Sequence, residues 1–234
     1  MADQIMAEKH LKEGIEAFEN KKYAEAYSAI KQAAEEGSAE AQFRMGGYSY
    51  WGQIVPKNEE DALKWFRKAA DQGHLAAMTE VGRMYAYSDG VAHSPDLAFK
   101  WTYKAAQAGS MQAYYNLGTL YEQGIGVSRD LPSAAQMYKV AGDGGISDGY
   151  HCLAQLYHAG KGVPKDRKAA AGYCIKAADM GNAQACIDTA MCYYDGDGVE
   201  KDDKIALSYF QKALDLGRSE VQKYIDAIKA GRPI

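Results

Sequence analysis

Leu117-Gly-Thr-Leu-Tyr-Glu-Gln-Gly-Ile-Gly-Val-Ser-Arg-Asp130 decides the fold, because the chain writes this phrase again at a fixed interval. Thirty-six positions on stands Leu153-Ala-Gln-Leu-Tyr-His-Ala-Gly-Lys-Gly-Val-Pro-Lys-Asp166, and 36 further Thr189-Ala-Met-Cys-Tyr-Tyr-Asp-Gly-Asp-Gly-Val-Glu-Lys-Asp202. Counting back by the same step reaches Val81 to Ser94 and Met45 to Asn58, and no gap is needed between Ala39 and Gly217. Gly37, Gly73, Gly109, Gly145, Gly181 and Gly217 keep the same beat. A constant period of this size is the mark of stacked supersecondary units, each too small to bury its own apolar face. The expectation is an all-α, right-handed α/α superhelix of helix-turn-helix repeats.

Within the period, apolar or small residues recur on one helical face, such as Met45, Val81, Leu117 and Leu153, with Tyr85, Tyr121, Tyr157 and Tyr193 four residues after Val81, Leu117, Leu153 and Thr189. A loop follows with Gly124 and Gly126, Gly160 and Gly162, or Gly196 and Gly198, and then Val127, Val163 or Val199 as an apolar plug. Gly52-Gln-Ile54-Val55 lacks the second glycine and Ser88-Asp-Gly90-Val91 the first, so those two loops are expected to differ in shape. The second helix starts at Asn58, Ser94, Asp130, Asp166 and Asp202, all side chains able to accept from the free amides of a first turn, and Pro95 suits a first helical position. Small residues at Ala62, Ala98, Ala134, Ala170 and Ala206 let the paired helices approach, while Trp65, Trp101, Met137, Tyr173 and Tyr209 are expected to fill the space around them. Each second helix should stop at its period glycine.

The segment 1–38 reads as a capping hairpin with a tight Asn20-Lys-Lys connection, 39–217 as five repeats (39–74, 75–110, 111–146, 147–182 and 183–217), and 218–234 as a capping helix and tail. Acidic and basic residues are interleaved and the formal charge is only -4, which disfavours a nucleic-acid partner. No apolar run suggests membrane insertion and no apolar leader stands at the start, so a cytoplasmic protein is expected.

The recurring Leu-Gly-x-Leu-Tyr, Gly-x-Gly-Val, Asp, then Ala, an aromatic, Lys-Ala-Ala and Gly resemble the Sel-one-like repeat family, a branch of the tetratricopeptide-like α/α solenoids. That resemblance implies an adaptor: members hold multiprotein complexes together, in eukaryotic membrane-associated degradation machinery and in bacterial host-interaction or signalling assemblies. One bacterial branch joins its helices with paired cysteines. This chain departs from it, with Ala178 where a partner for Cys186 would stand, so the penicillin-binding activity suggested for that branch does not carry over.

The resemblance further implies that the first helix of each repeat lines a concave groove, which places there Phe43, Tyr50, Trp51, Arg83, Tyr87, Tyr115, Glu122, His151, His158 and Tyr194 as contacts for a protein or peptide partner. No catalytic residue, cofactor or metal site is expected. Asp195-Gly-Asp197-Gly lacks the central glycine and closing glutamate of a calcium loop, and Gly142-Asp-Gly144-Gly145 follows no strand. Cys152, Cys174, Cys186 and Cys192 occupy positions where sister repeats carry apolar or aromatic residues, or Asn116. They read as reduced core thiols, with a Cys152 to Cys174 bridge as the alternative. His151 and His158 share a helical face with Asp148 and Gln155, which reads as a polar wall of the groove. An enzyme built on that face, or a dedicated inhibitor or immunity partner of a toxin, are the competing functions.

Overall fold

A computed structural model describes residues 2–87 and 92–233, with the side chains of residues 2 and 3 left aside. The loop at 88–91, whose shape the missing first glycine brought into question, lies outside the described residues. Every regular element among them is helical. The helices come in pairs: α1 (Ala2–Glu19) with α2 (Tyr23–Glu35), α3 (Ala39–Trp51) with α4 (Glu59–Asp71), α5 (Leu75–Tyr87) with α6 (Pro95–Gln107), α7 (Met111–Gln123) with α8 (Leu131–Asp143), α9 (Ser147–Ala159) with α10 (Arg167–Asp179), and α11 (Ala183–Asp195) with α12 (Asp203–Asp215). A 3-10 turn at Ser219–Val221 leads into α13 (Gln222–Lys229). No helix among the described residues is long and apolar enough to cross a membrane.

The helices gather into two compact units. The first runs to Ala113 and includes Ile125–Val127; the second comprises Tyr114–Gly124 and everything from Ser128 on. In the first, α2 packs on α3 and α4 on α5; in the second, α8 packs on α9, α10 on α11, and α12 on α13. Within each unit, consecutive hairpins thus stack on one another, as a solenoid requires.

Backbone hydrogen bonds repeat with the sequence. The amide of each residue preceding a second helix donates to a carbonyl nine positions back: Asn58 to Ser49, Ser94 to Tyr85, Asp130 to Tyr121, Asp166 to Tyr157 and Asp202 to Tyr193, at 2.8 to 3.2 Å. This closes the loop on the helix it leaves. The side chains of Asn58, Asp130, Asp166 and Asp202 then accept from the first turn, as expected. Ser94 does not; α6 begins instead with Pro95, whose fixed φ is already helical and which has no amide to satisfy. The first helices carry caps that the sequence reading missed. Ser38 and Asn182 accept from Ala41 and Ala185, while Ser110 Oγ and His74 Nδ1 accept from Ala113 and Ala77.

All six period glycines have positive φ, from 89° to 102°, and close the last turn with paired bonds such as Gly181 to Ala178 and Asn182 to Ala177. Ala62, Ala98, Ala134, Ala170 and Ala206 are all buried, so the helices of a pair are in close contact. The large residues expected beside them need correcting by one position. Trp65, Trp101, Met137, Tyr173 and Tyr209 are only half-buried, and the sealed rings are Phe66, Tyr138 and Phe210. A one-residue step turns a helix by about 100°, enough to move a side chain from the edge of a contact to its centre. The outer aromatics have a different use. Lys68, Lys104, Lys176 and Lys212 reach over Trp65, Trp101, Tyr173 and Tyr209 three residues before them, at 4.2 to 6.0 Å from the ring centres.

Polar links from one first helix to the cap of the next first helix also fall in register. Glu40 accepts from His74 Nε2 at 3.1 Å, and Asp148, three periods later, accepts from Asn182 at 2.7 Å. The His74 link defines a tautomer for the neutral ring: its Nδ1 already accepts the Ala77 amide, so Nε2 carries the proton given to Glu40.

Candidate functional site

The expected groove residues divide between the units, Phe43, Tyr50, Trp51, Arg83 and Tyr87 in the first and Tyr115, Glu122, His151, His158 and Tyr194 in the second. In the first unit, the end of α3 presents Tyr50 and Trp51, their rings edge to face at 4.7 Å. Trp51 is 68% exposed and Tyr87, at the end of α5, is 49% exposed. Arg83 lies between them in sequence and binds Glu80 at 2.9 Å with its guanidinium 4.9 Å above the Tyr50 ring. Burial opposes the charge of Arg83, but the Glu80 carboxylate and Tyr50 hydroxyl outweigh it and hold the group above its ordinary pKa. Tyr87 is pushed up by burial against the opposing pull of Arg83. Phe43 is drawn into packing instead, stacked on His74 at 4.7 Å and tilted on Phe66 at 5.5 Å. A cleft of about 310 Å³ opens here between Phe43, Tyr50 and Trp51, floored by Gly47 and Phe66.

In the second unit, Tyr115 and Glu122 turn toward their own hairpin partner. Tyr138 donates its hydroxyl to Glu122 at 2.7 Å and contacts Thr119 at 3.3 Å, while the Tyr115 ring tilts on it at 5.8 Å. Burial first, with the Glu122 contact adding to it and the Thr119 contact opposing, drives the Tyr138 hydroxyl far above its usual range, so it stays protonated. Tyr194 lies under Lys201 at 4.6 Å.

The histidine stripe on α9 divides among separate partners. His151 Nε2 meets Asp188 at 2.8 Å, His158 Nε2 meets Asp197 at 3.2 Å, and Asp148 is taken by Asn182. Arg167, at the start of α10, reaches the other oxygen of Asp197 at 2.8 Å. The two histidines are therefore inter-repeat bridges, while Asp148 ties α9 to the cap of α11. Among the described residues no group of three or more His, Cys, Asp or Glu is placed to hold a metal ion.

All four cysteines are free. Burial is the first cause in each case and pushes Cys174 up to about 12, and Cys152 and Cys192 up to about 11, far from the lowered values that activate a nucleophile. At pH 8 a thiol near 11 is thiolate in only about one part in a thousand. Iodoacetamide is expected to alkylate these three at least 100-fold more slowly in the native protein than in guanidinium, followed by peptide mass spectrometry. Equal rates would mean that the thiols are not shielded.

Asp188, Asp197, Arg167, Cys174 and Met191 had no place in the expected site, yet they gather with His158 around a cavity of about 370 Å³ between α9, α10 and α11. The available signal was Cys174, which stands in register with Phe66, Tyr138 and Phe210.

The sequence profile of the Sel1 repeat matches residues 39–74, 75–110, 112–146, 148–182 and 183–217. No curated protein matches the chain. Among solved structures, the chain is similar to c5321, a protective antigen of uropathogenic Escherichia coli displaying an SLR fold, at 28% identity and a TM-score of 0.87, over 95% of this chain and 48% of that one. The chain thus spans about half the length of that relative. A Sel1 repeat protein from Oxalobacter formigenes is 30% identical with a TM-score of 0.79, over 94% of this chain and 87% of that one. Immunity protein Pa5087 from Pseudomonas aeruginosa, 19% identical over 84% of this chain and 75% of its own with a TM-score of 0.59, shares the fold.

Proposed function

Because the chain belongs to the Sel1-repeat family, whose members generally serve as protein-interaction scaffolds, we propose that it is a non-enzymatic adaptor whose first helices receive a segment of a protein partner. The observation that carries this reading is the Trp51 edge of α3. An indole 68% exposed, set against Tyr50 and beside a cleft, is the residue type and setting that dominates interface energetics. Fixed neighbours keep Tyr50 and Arg83 ordered before any partner arrives, which lowers the ordering cost of association.

The histidine face of α9 supports binding rather than turnover. Each imidazole is held by a carboxylate of the next repeat, and the neighbouring thiols are pushed away from ionisation. The four free thiols fit a reducing compartment such as the cytoplasm. The likeness to an immunity protein, at 19% identity, is one of fold and lends no support to a toxin partner.

The test is affinity capture with the immobilised protein, identification of the captured partner, and titration against Trp51→Ala/Tyr87→Ala. Loss of two exposed anchors should weaken binding by about 30-fold or more, the equivalent of about 2 kcal/mol. Helical circular dichroism should be unchanged. A partner bound equally well by the double variant would move the interaction away from this face.

A further inference from the structure

Repeats one, three and five seal their hairpins with a ring, at Phe66, Tyr138 and Phe210. For Gly46 and Gly118 in the first helix opposite, an added Cβ would overlap the ring itself, so no space remains there. Repeat four departs from this. Its register position is Cys174, the position opposite is Ala154, and both line the cavity of about 370 Å³. The ring that repeats one, three and five supply from within is absent, and Ala171, Met191 and Cys192 complete an apolar wall around the space.

The mouth is chemically distinct from the wall. Asp188, Asp195 and Asp197 stand around it, with Arg167 as the one permanent cation and already engaged by Asp197 at 2.8 Å. Three carboxylates against one guanidinium leave the opening negative. Of the two histidines of α9, His158 lines the cavity and faces Asp197, while His151 faces Asp188. An apolar chamber behind an acidic mouth selects an apolar group with a positive charge beside it.

We propose that this cavity is a receptor pocket for an aromatic side chain of a peptide segment carrying basic residues next to it. The ring occupies the place that Phe66, Tyr138 and Phe210 fill in their own repeats, and the basic flanks meet Asp188 and Asp195. That the ligand is a peptide rests on the function proposed above; the void and the sign of its mouth do not.

The probes are three tripeptides blocked at both ends, Lys-Phe-Lys, Lys-Ala-Lys and Glu-Phe-Glu, titrated into the full chain while the Met191 methyl resonance is followed by NMR. Lys-Phe-Lys should give a saturable shift, and the other two should bind at least tenfold more weakly. Cys174→Phe, which restores the sister-repeat ring, should abolish the shift, and should the variant not fold, exposed Asp195→Asn should weaken Lys-Phe-Lys several-fold in a protein of unchanged melting temperature. Absence of any shift, equal binding of the three peptides, an undiminished response in folded Cys174→Phe, or undiminished affinity in Asp195→Asn would each overturn the pocket. A null result here, alongside a partner still lost on Trp51→Ala/Tyr87→Ala, would condemn the pocket and leave the adaptor reading standing.

Discussion

Gly198→Ala is expected to lower stability by about 3 kcal/mol or more, through strain and overlap together. The residue has φ of +77°, and a Cβ built on it would overlap the Arg167 carbonyl and lie 3.1 Å from the Ala171 side chain. Neither obstacle can step aside, because Arg167 opens α10 and Ala171 is buried within it. Gly145→Val is the informative comparison. Gly145 has φ of +99° but nothing within 4 Å of its Cβ position, so only backbone strain is added, about 1 to 2 kcal/mol. Urea unfolding of the two variants measures the difference. Equal losses would mean that the close approach between repeats at Gly198 carries no energy.

Phe210→Ala should cost about 3 to 5 kcal/mol, as expected for a large ring removed from a sealed site. Phe210 has no exposed surface, stacks on Tyr224 at 5.2 Å, and shares a cluster with Val221 and Ile225. Its loss removes the anchor of α13, a helix of only eight residues that is too short to persist without tertiary support. Hydrogen exchange at the amides of Gln222–Lys229 should rise toward unprotected rates before those of α9. Retained protection there would show that α13 is held by other contacts.

The period made the pairing of helices legible, since a gapless step of 36 residues has no other economical reading. The caps at Asn58, Asp130, Asp166 and Asp202 were legible too, because residue type and position agreed in each copy. The first-helix caps were harder, since Ser38, His74, Ser110, Ile146 and Asn182 share a position but no common type, and Ile146 does not cap at all. The period fixes spacing but not rotational phase, which is why Trp65 was expected where Phe66 is sealed. In the site, Trp51 and Tyr87 stand exposed, while Phe43, Tyr115 and Glu122 are drawn into packing. A cavity depends on whether neighbours collapse around a small residue, and that is decided by the combined shapes of α9, α10 and α11.

The close approaches of Gly126 to Pro95, Gly162 to Leu131 and Gly198 to Arg167 join each of these repeats to the one before it by means that are the same from one copy to another. A gene encoding such a chain can therefore gain or lose 36 codons by unequal recombination, and the new junction between old copies inherits a workable seam. Lineages of this protein should differ in length by whole modules rather than by scattered insertions, with surface residues diverging fastest in the newest copies.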